Sequence, residues 1–146
     1  MSEQSFDVAD AAAMHDLGAR LGSVLAAGDL VVLSGPLGAG KTTLAQGIAA
    51  GLLVEGPVTS PTFVIARVHR SRRGGPDLVH VDAYRLSSLA EVDDLDLDAT
   101  LDDCVTVVEW GEGKVDHLTD RTVRVEITRD TDPRRVVVRA APALPR

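Results

Sequence analysis

Aromatic residues are scarce in this chain, which holds two phenylalanines, one tyrosine and one tryptophan among 146 residues. Because 45% of the sequence is nevertheless hydrophobic, the core must be built from valine, leucine, isoleucine and alanine. A single cysteine, Cys104, excludes an internal disulfide and suits a reducing compartment. No apolar run reaches the length of a membrane span, and the N-terminus lacks the basic and apolar regions of a signal peptide. We therefore expect a cytoplasmic protein that does not enter the membrane.

Basic residues are outnumbered, with 15 lysines and arginines against 22 aspartates and glutamates, and the net charge is −7. This balance disfavours binding to nucleic acid through bulk charge. The charges are unevenly distributed, because 86–120 holds eleven acidic residues and one basic residue, whereas 121–146 holds seven arginines and three acids. The asymmetry suggests docking surfaces, although solvated faces are the more common explanation.

Lysine is rare too, and one of only two lysines lies in the most specific motif of the chain. Residues 35–42 match the pattern G-x-x-x-x-G-K-[ST] at every fixed position. Glycines let such a loop turn tightly, so that successive N–H groups form a nest for phosphate. The lysine then reaches the β- and γ-phosphates, and the Thr42 hydroxyl binds Mg²⁺. We predict that ATP or ADP binds to Pro36, Leu37, Gly38, Ala39, Gly40, Lys41, Thr42 and Thr43.

The sequence around this loop has the strand–loop–helix order that the motif requires. Leu30–Leu33 is a continuous apolar run, typical of a strand buried on both faces. Apolar residues recur at helical spacing after the loop, up to Leu52, and such a helix adds its positive dipole end to the site. The alternative is a glycine-rich turn that binds nothing.

The remaining elements are predicted from periodicity and turn signals, in a single domain over 1–146 with an ordered core of about 5–140. A short edge strand and a helix from the N-cap Asp10 to Gly28 precede the loop. The predicted strands are 6–8, 62–69, 78–83, 104–108, 123–128 and 135–140, with a helix from 88 to 95. The alternation in 123–128 suggests a half-exposed antiparallel strand.

Two carboxylates directly follow apolar strand patterns, Asp82 after 78–81 and Glu109 after 105–108. If both strands run parallel to 30–33, the two acids emerge at the sheet edge that carries the phosphate loop. Mg²⁺ prefers hard oxygen ligands of this kind. We predict a metal site of Thr42, Asp82 and Glu109, and catalytic roles for both acids and Lys41. The alternative is that each acid is an ordinary solvated strand end.

Neighbouring residues are further candidates. Trp110 could pack its flat ring on the base of a nucleotide, or could belong to the core. His80 alternates with Asp82 on one strand face and is interpreted as a packed or hydrogen-bonded histidine rather than a catalyst. Lys41 is expected to be exposed without nucleotide. Residues 59–62 suggest a nucleotide-responsive loop, or else an ordinary turn entering a strand.

Four segments, in this order, resemble the TsaE family (also called YjeE), small bacterial ATPases needed for the threonylcarbamoyladenosine modification of tRNA. They are the phosphate loop, Thr59-Ser60-Pro61-Thr62-Phe63, His80-Val81-Asp82-Ala83-Tyr84-Arg85-Leu86 and Glu109-Trp110-Gly111-Glu112. The resemblance covers about 5–140, and the combination is far more specific than the phosphate loop alone.

The resemblance implies an α/β fold of the P-loop NTPase type: a three-layer sandwich with a parallel core sheet, added antiparallel strands and a C-terminal β-hairpin. It implies ATP and Mg²⁺ at the loop, with Thr42 and Glu109 on the metal, Asp82 near the attacking water or the metal, and Trp110 by the base. It also implies two partners, TsaB and TsaD, which modify adenosine 37 of ANN-decoding tRNAs. The chain would meet tRNA only through them, and slow ATP hydrolysis would support their multiple turnover.

Two other functions stay open beside this leading hypothesis. A small-molecule kinase needs an acceptor pocket and usually a lid bearing arginine, whereas the chain ends in a predicted β-hairpin. A nucleotide-sensing interaction subunit with negligible hydrolysis would use the same residues as an ATPase. The sequence therefore separates the sensor from the ATPase poorly.

Overall fold

The computed structural model describes residues 2–36, 38–55, 66–72, 74–82, 101–110, 119, 121–128 and 133–140. Seven strands and two helices lie in these ranges. In chain order they are β1 (Ser2–Val8), α1 (Ala11–Val24), β2 (Leu30–Ser34), α2 (Lys41–Leu52), β3 (Ala66–His69), β4 (Asp77–Asp82), β5 (Cys104–Glu109), β6 (Thr122–Thr128) and β7 (Arg134–Ala140).

The seven strands form one mixed sheet in the order β1-β7-β6-β2-β5-β4-β3. Its centre is parallel, because β6, β2, β5 and β4 pair in the same direction. Antiparallel strands are added on both sides, with β7 and β1 beyond β6, and β3 beyond β4. The expected parallel core with added antiparallel strands is therefore confirmed, as is the antiparallel pairing of the last two strands.

The antiparallel strand expected at 123–128 is confirmed on one of its two sides. β6 is antiparallel to β7 only, and it pairs in parallel with β2 on its other side. The predicted alternation itself is present, with Val123, Val125 and Ile127 buried and their neighbours more exposed. Periodicity reports which face of a strand is buried, but it carries no information on the direction of the neighbouring strands.

The sheet buries side chains on both faces. Val31 and Leu33 of β2 belong to a hydrophobic cluster that includes residues of both helices. Leu30 and Val32 point to the opposite face and join a second cluster. The described residues thus supply two layers, the helices and the sheet. The three-layer arrangement stays a prediction, and the helix expected from Ser88 lies outside the described residues.

The two helices approach each other closely through glycines placed four residues apart. These are Gly18 and Gly22 on α1, and Gly47 and Gly51 on α2. A Cβ atom on Gly47 would stand 2.2 Å from the carbonyl oxygen of His15, a distance that backbone atoms do not tolerate. Side chains at these positions would force the helices apart.

Neither described helix is both long and apolar enough to cross a membrane.

Element boundaries follow the predicted signals with small shifts. Asp10 caps α1 as expected, because its side chain accepts a hydrogen bond of 2.8 Å from the N–H of Ala13. The helix ends at Val24 rather than at Gly28, and β1 is longer than predicted, beginning at Ser2. The predicted loop at 59–62, the helix at 88–95 and the C-terminal 141–146 lie outside the described residues.

Candidate functional site

The candidate site lies where β2 ends and α2 begins. The loop between them requires left-handed backbone at Gly38 and Gly40, whose φ angles are 77° and 113°, and glycine adopts these without a Cβ penalty. Gly40 is the N-cap of α2 and offers no side chain to the free N–H groups of the first turn, where Thr43 lies. Among the described residues no N-cap side chain bonds these N–H groups, and a helix end of this kind can receive an anion. Leu37 lies outside the described residues.

Lys41, the first residue of α2, is buried, with 5% of its surface accessible. The expectation that it is exposed without nucleotide is therefore wrong. Its Nζ donates hydrogen bonds to the carbonyl oxygens of Gly35 at 2.5 Å and Pro36 at 3.1 Å. Burial lowers the pKa of the Lys41 ammonium, and the carboxylates of Glu109 and Asp82 oppose this shift. The motif predicts the position of the lysine in the chain, but not that its Nζ folds back onto the carbonyl oxygens of the loop.

Trp110 lies against this lysine. The Nζ of Lys41 is 3.7 Å from the centroid of the indole ring, which is a cation–π contact. Trp110 has a φ angle of 62°, which is uncommon for a bulky residue. Its backbone N–H donates to the carbonyl oxygen of Leu33 at 3.4 Å. The structure thus shows Trp110 beside the predicted phosphate-binding lysine. Its place beside the base stays a prediction.

The two carboxylates lie at the same sheet edge. Asp82 and Glu109 are register partners on the parallel strands β4 and β5. Glu109 is buried, and its Oε1 lies 3.5 Å from Oγ1 of Thr42. Asp82 is half-buried and acts electrostatically on Lys41 together with Glu109. The fold therefore brings the predicted catalytic and metal-binding residues to one place.

The donor set suits Mg²⁺, since it consists of one hydroxyl and two carboxylates, all hard oxygen ligands. The described residues contain no group of three or more histidine, cysteine, aspartate or glutamate side chains that could form a complete metal cage. Mg²⁺ at a nucleotide site needs only one or two carboxylates, because phosphate oxygens and water complete its octahedron. The residues present therefore fit a metal ion that arrives with a nucleotide.

His80 contributes more than the sequence indicates. It is completely buried on β4, and its Nε2 lies 2.6 Å from Oε2 of Glu109. The interpretation as a hydrogen-bonded histidine is right, but the sequence did not identify its partner, a candidate metal ligand. The available signal was the alternation that places His80 and Asp82 on one face of the strand.

Arg134, at the start of β7, is a site neighbour that the sequence did not reveal. Its Nη1 donates a hydrogen bond of 2.8 Å to the carbonyl oxygen of Ala39 in the loop. Ala39 is itself buried, and its N–H bonds to the carbonyl of Pro36 at 3.1 Å. The two partners of the arginine contact are 95 positions apart in the chain, so no local pattern signals it.

A glycine loop that leads into an open helix end, with a lysine and carboxylates beside it, contains the parts of a nucleotide site. These parts lie at the carboxyl edge of a mostly parallel sheet, where open α/β folds bind their ligands. The fold and the site together define an α/β protein of the nucleotide-binding class.

Comparisons with known proteins identify the family. The model of the family described as threonylcarbamoyl adenosine biosynthesis protein TsaE matches residues 8–137, and the chain belongs to this family. The tRNA threonylcarbamoyladenosine biosynthesis protein TsaE of Streptomyces coelicolor is 65% identical over 117 residues, 80% of this chain and 79% of the relative. That of Mycobacterium tuberculosis is 60% identical over 120 residues, 77% and 71% of the two chains. The crystal structure of Bacillus subtilis YdiB matches with a TM-score of 0.74 and 26% identity, covering 95% of this chain and 86% of YdiB.

Proposed function

We propose that this chain is a cytoplasmic, Mg²⁺-dependent ATPase that supports the TsaB–TsaD pair in forming threonylcarbamoyladenosine at position 37 of ANN-decoding tRNAs. Membership of the TsaE family supports the pathway. The observation that carries the ATPase is the 3.5 Å approach of the Thr42 hydroxyl to the buried Glu109 at the phosphate loop. A buried carboxylate beside a phosphate is unfavourable unless a cation lies between them, so Glu109 favours a metal–nucleotide complex over a bare anion.

The residues of the site divide the work of hydrolysis. Loop and helix N–H groups hold the phosphates, and Lys41, once released from its loop carbonyls, neutralises the β- and γ-phosphates. Thr42 and Glu109 would hold Mg²⁺, which when bound would supply charge neutralisation at the phosphoryl group. Asp82 acts on the metal or on the attacking water. Water adds to the γ-phosphorus, the bond to the β–γ bridging oxygen breaks, and ADP leaves with that oxygen.

Phosphate release, measured with and without TsaB–TsaD, tests this function. We expect slow release by the chain alone and faster release with both partners, whose binding should depend on the nucleotide. Glu109→Gln and Asp82→Asn should each lower hydrolysis by about 100-fold or more, with a smaller loss of ADP affinity. The two carboxylates matter most when charge develops on the phosphoryl group in the transition state. Glu126→Gln is the matched control, since Glu126 is exposed on β6 and pairs with Arg139.

A tRNA titration distinguishes a chain that binds tRNA by itself from one that meets tRNA only through TsaB–TsaD. With a net charge of −7, the isolated chain should bind tRNA weakly or not at all at physiological salt. Tight autonomous tRNA binding, or hydrolysis that is indifferent to TsaB–TsaD, contradicts the proposal. Transfer of phosphate to a small acceptor would indicate a kinase, and nucleotide binding without any phosphate release would indicate a sensor.

A further inference from the structure

The two carboxylate oxygens of Glu109 have different partners. Oε1 lies 3.5 Å from the hydroxyl of Thr42, at the phosphate loop. Oε2 lies 2.6 Å from Nε2 of His80, on the neighbouring strand β4. One oxygen therefore faces the proposed metal position while the imidazole holds the other.

The contact between His80 and Glu109 has the geometry of a hydrogen bond. An ionised carboxylate can only accept hydrogen bonds, so Nε2 of His80 is the donor to such a carboxylate. Nδ1 of His80 has no hydrogen-bond partner among the described residues. Among the described residues, the imidazole ring of His80 therefore makes its hydrogen bond to Glu109.

Packing alone does not account for a histidine at this position. The side chain is fully buried, and burying a polar ring costs free energy that an aliphatic side chain avoids. Leu78, two residues earlier on the same face of β4, shows that this face accepts aliphatic side chains. The short hydrogen bond to Glu109 is what the imidazole adds, because an ionised acceptor makes such bonds about twice as strong as neutral ones.

We propose that His80 is a positioning residue for the metal: it holds Oε2 of Glu109 so that Oε1 is presented beside Thr42. The inference rests on the proposed Mg²⁺-dependent function. The terminal torsion of a glutamate is soft, so a carboxylate without this support would spread over many orientations. Hydrogen-bond partners of metal ligands typically change metal affinity or activity by a factor of about 10–100. His80 acts through Glu109 and takes no part in the chemical step.

The test compares His80→Leu with His80→Gln in the full chain. Leucine fills a similar volume without a donor, whereas the glutamine amide nitrogen is as many bonds from Cβ as Nε2 and can donate the same hydrogen bond. We expect His80→Leu to raise the Mg²⁺ concentration needed for half-maximal ATP binding by about tenfold or more, and His80→Gln to restore most of the loss. Affinity for ADP without Mg²⁺ should be equal in the parent and both variants.

Mn²⁺ in place of Mg²⁺, followed by paramagnetic resonance, reports bound metal without turnover. Equal metal dependence of the parent and a folded His80→Leu variant overturns the role of His80. If that variant does not fold, His80→Asn replaces it, because its amide is one bond shorter and cannot reach Glu109 as glutamine does. A parent chain that binds no nucleotide contradicts the proposed function. Retained binding with unchanged metal dependence contradicts the role of His80 alone.

Discussion

At the residue scale, Lys41 combines a buried stem with a charge that two loop carbonyls hold. Lys41→Met keeps an unbranched side chain of similar length and removes the charge. We expect the free energy of unfolding to fall by up to about 3 kcal/mol, because two loop carbonyls lose their charged donor while the stem stays packed. Affinity for ADP should fall by about 100-fold, because the variant cannot donate two charge-assisted hydrogen bonds to the phosphates. Each such bond is worth about 1.5 kcal/mol, and 1.4 kcal/mol is tenfold.

Calorimetric titration with ADP and urea unfolding of the same samples measure the two effects separately. A folded Lys41→Met variant with the affinity of the parent would remove the basis for phosphate binding at this loop.

Trp110 is a reporter placed on that lysine, and it is the only tryptophan of the chain. Phosphate should draw Nζ away from the indole, from whose centroid it lies 3.7 Å. We expect tryptophan emission to change with Mg-ADP and with pyrophosphate, but not with adenosine, because adenosine has no phosphate for Lys41 to follow. A response to adenosine and none to pyrophosphate would instead place the ring beside the base.

At the scale of elements, the glycines between α1 and α2 set how closely the helices approach. Helix propensity favours Gly47→Ala by up to about 1 kcal/mol. The new Cβ would meet the backbone of His15 at 2.2 Å, however, and forced repacking costs about 1–3 kcal/mol. The clash should win, so we expect a lower midpoint of urea unfolding.

Gly75→Ala is the matched control for this prediction. The nearest atom to its added Cβ is Oγ of Ser71 at 3.6 Å, an ordinary contact. The stability of this variant should be unchanged or rise by up to about 1 kcal/mol. Equal stability of Gly47→Ala and the parent would show that the helices separate freely.

The C-terminal strand β7 also acts as an element of the site, because Arg134 bonds the carbonyl of Ala39. Arg134→Leu should loosen the phosphate loop and weaken ADP binding by about tenfold, the value of one charged hydrogen bond of about 1.5 kcal/mol. Arg135→Leu is the control, since Arg135 is exposed and lies 3.9 Å from the exposed Asp7. Titration with ADP distinguishes the variants, and equal affinities would mean that Arg134 does not support the loop.

At the scale of the whole molecule, the buried His69 should make the free energy of unfolding depend on pH. This side chain is buried at the end of β3, where its Nδ1 lies 3.1 Å from the carbonyl of Glu55. Burial lowers its pKa below 6.5; the bond to Glu55 opposes this, and the nearby His80 and Arg67 add to it. The unfolded chain therefore binds more protons below about pH 6.5, and the free energy of unfolding should fall as the pH drops through that value.

Urea unfolding of the parent between pH 8 and pH 5.5 measures this loss of stability. In His69→Gln the loss should shrink, because the variant has no imidazole to protonate at this position. His15→Gln, a change at a half-buried histidine of α1, is the control and should keep the loss. An unchanged pH dependence in His69→Gln would exclude His69 as its source.

Much of the fold and of the site can be predicted from the sequence, because these features depend on local spacing. A continuous apolar run marks β2 as buried, and the fixed motif spacing puts Lys41 and Thr42 at the start of a helix. Asp82 and Glu109 can be recognised because parallel strands that end together bring their next residues to one edge. The side-chain positions were less predictable: the Lys41 stem folds onto loop carbonyls, which depends on acceptors that a motif does not specify.

By itself, then, the sequence determined the phosphate loop, the buried faces of the strands and the family motifs, since short-range periodicity and spacing encode them. Tertiary structure alone decided that β6 runs parallel to β2, that Arg134 reaches Ala39, and that His80 supports Glu109. Each of these contacts joins segments far apart in the chain. Their pairing follows from how the whole sheet and its two helices pack, and no local pattern carries that information.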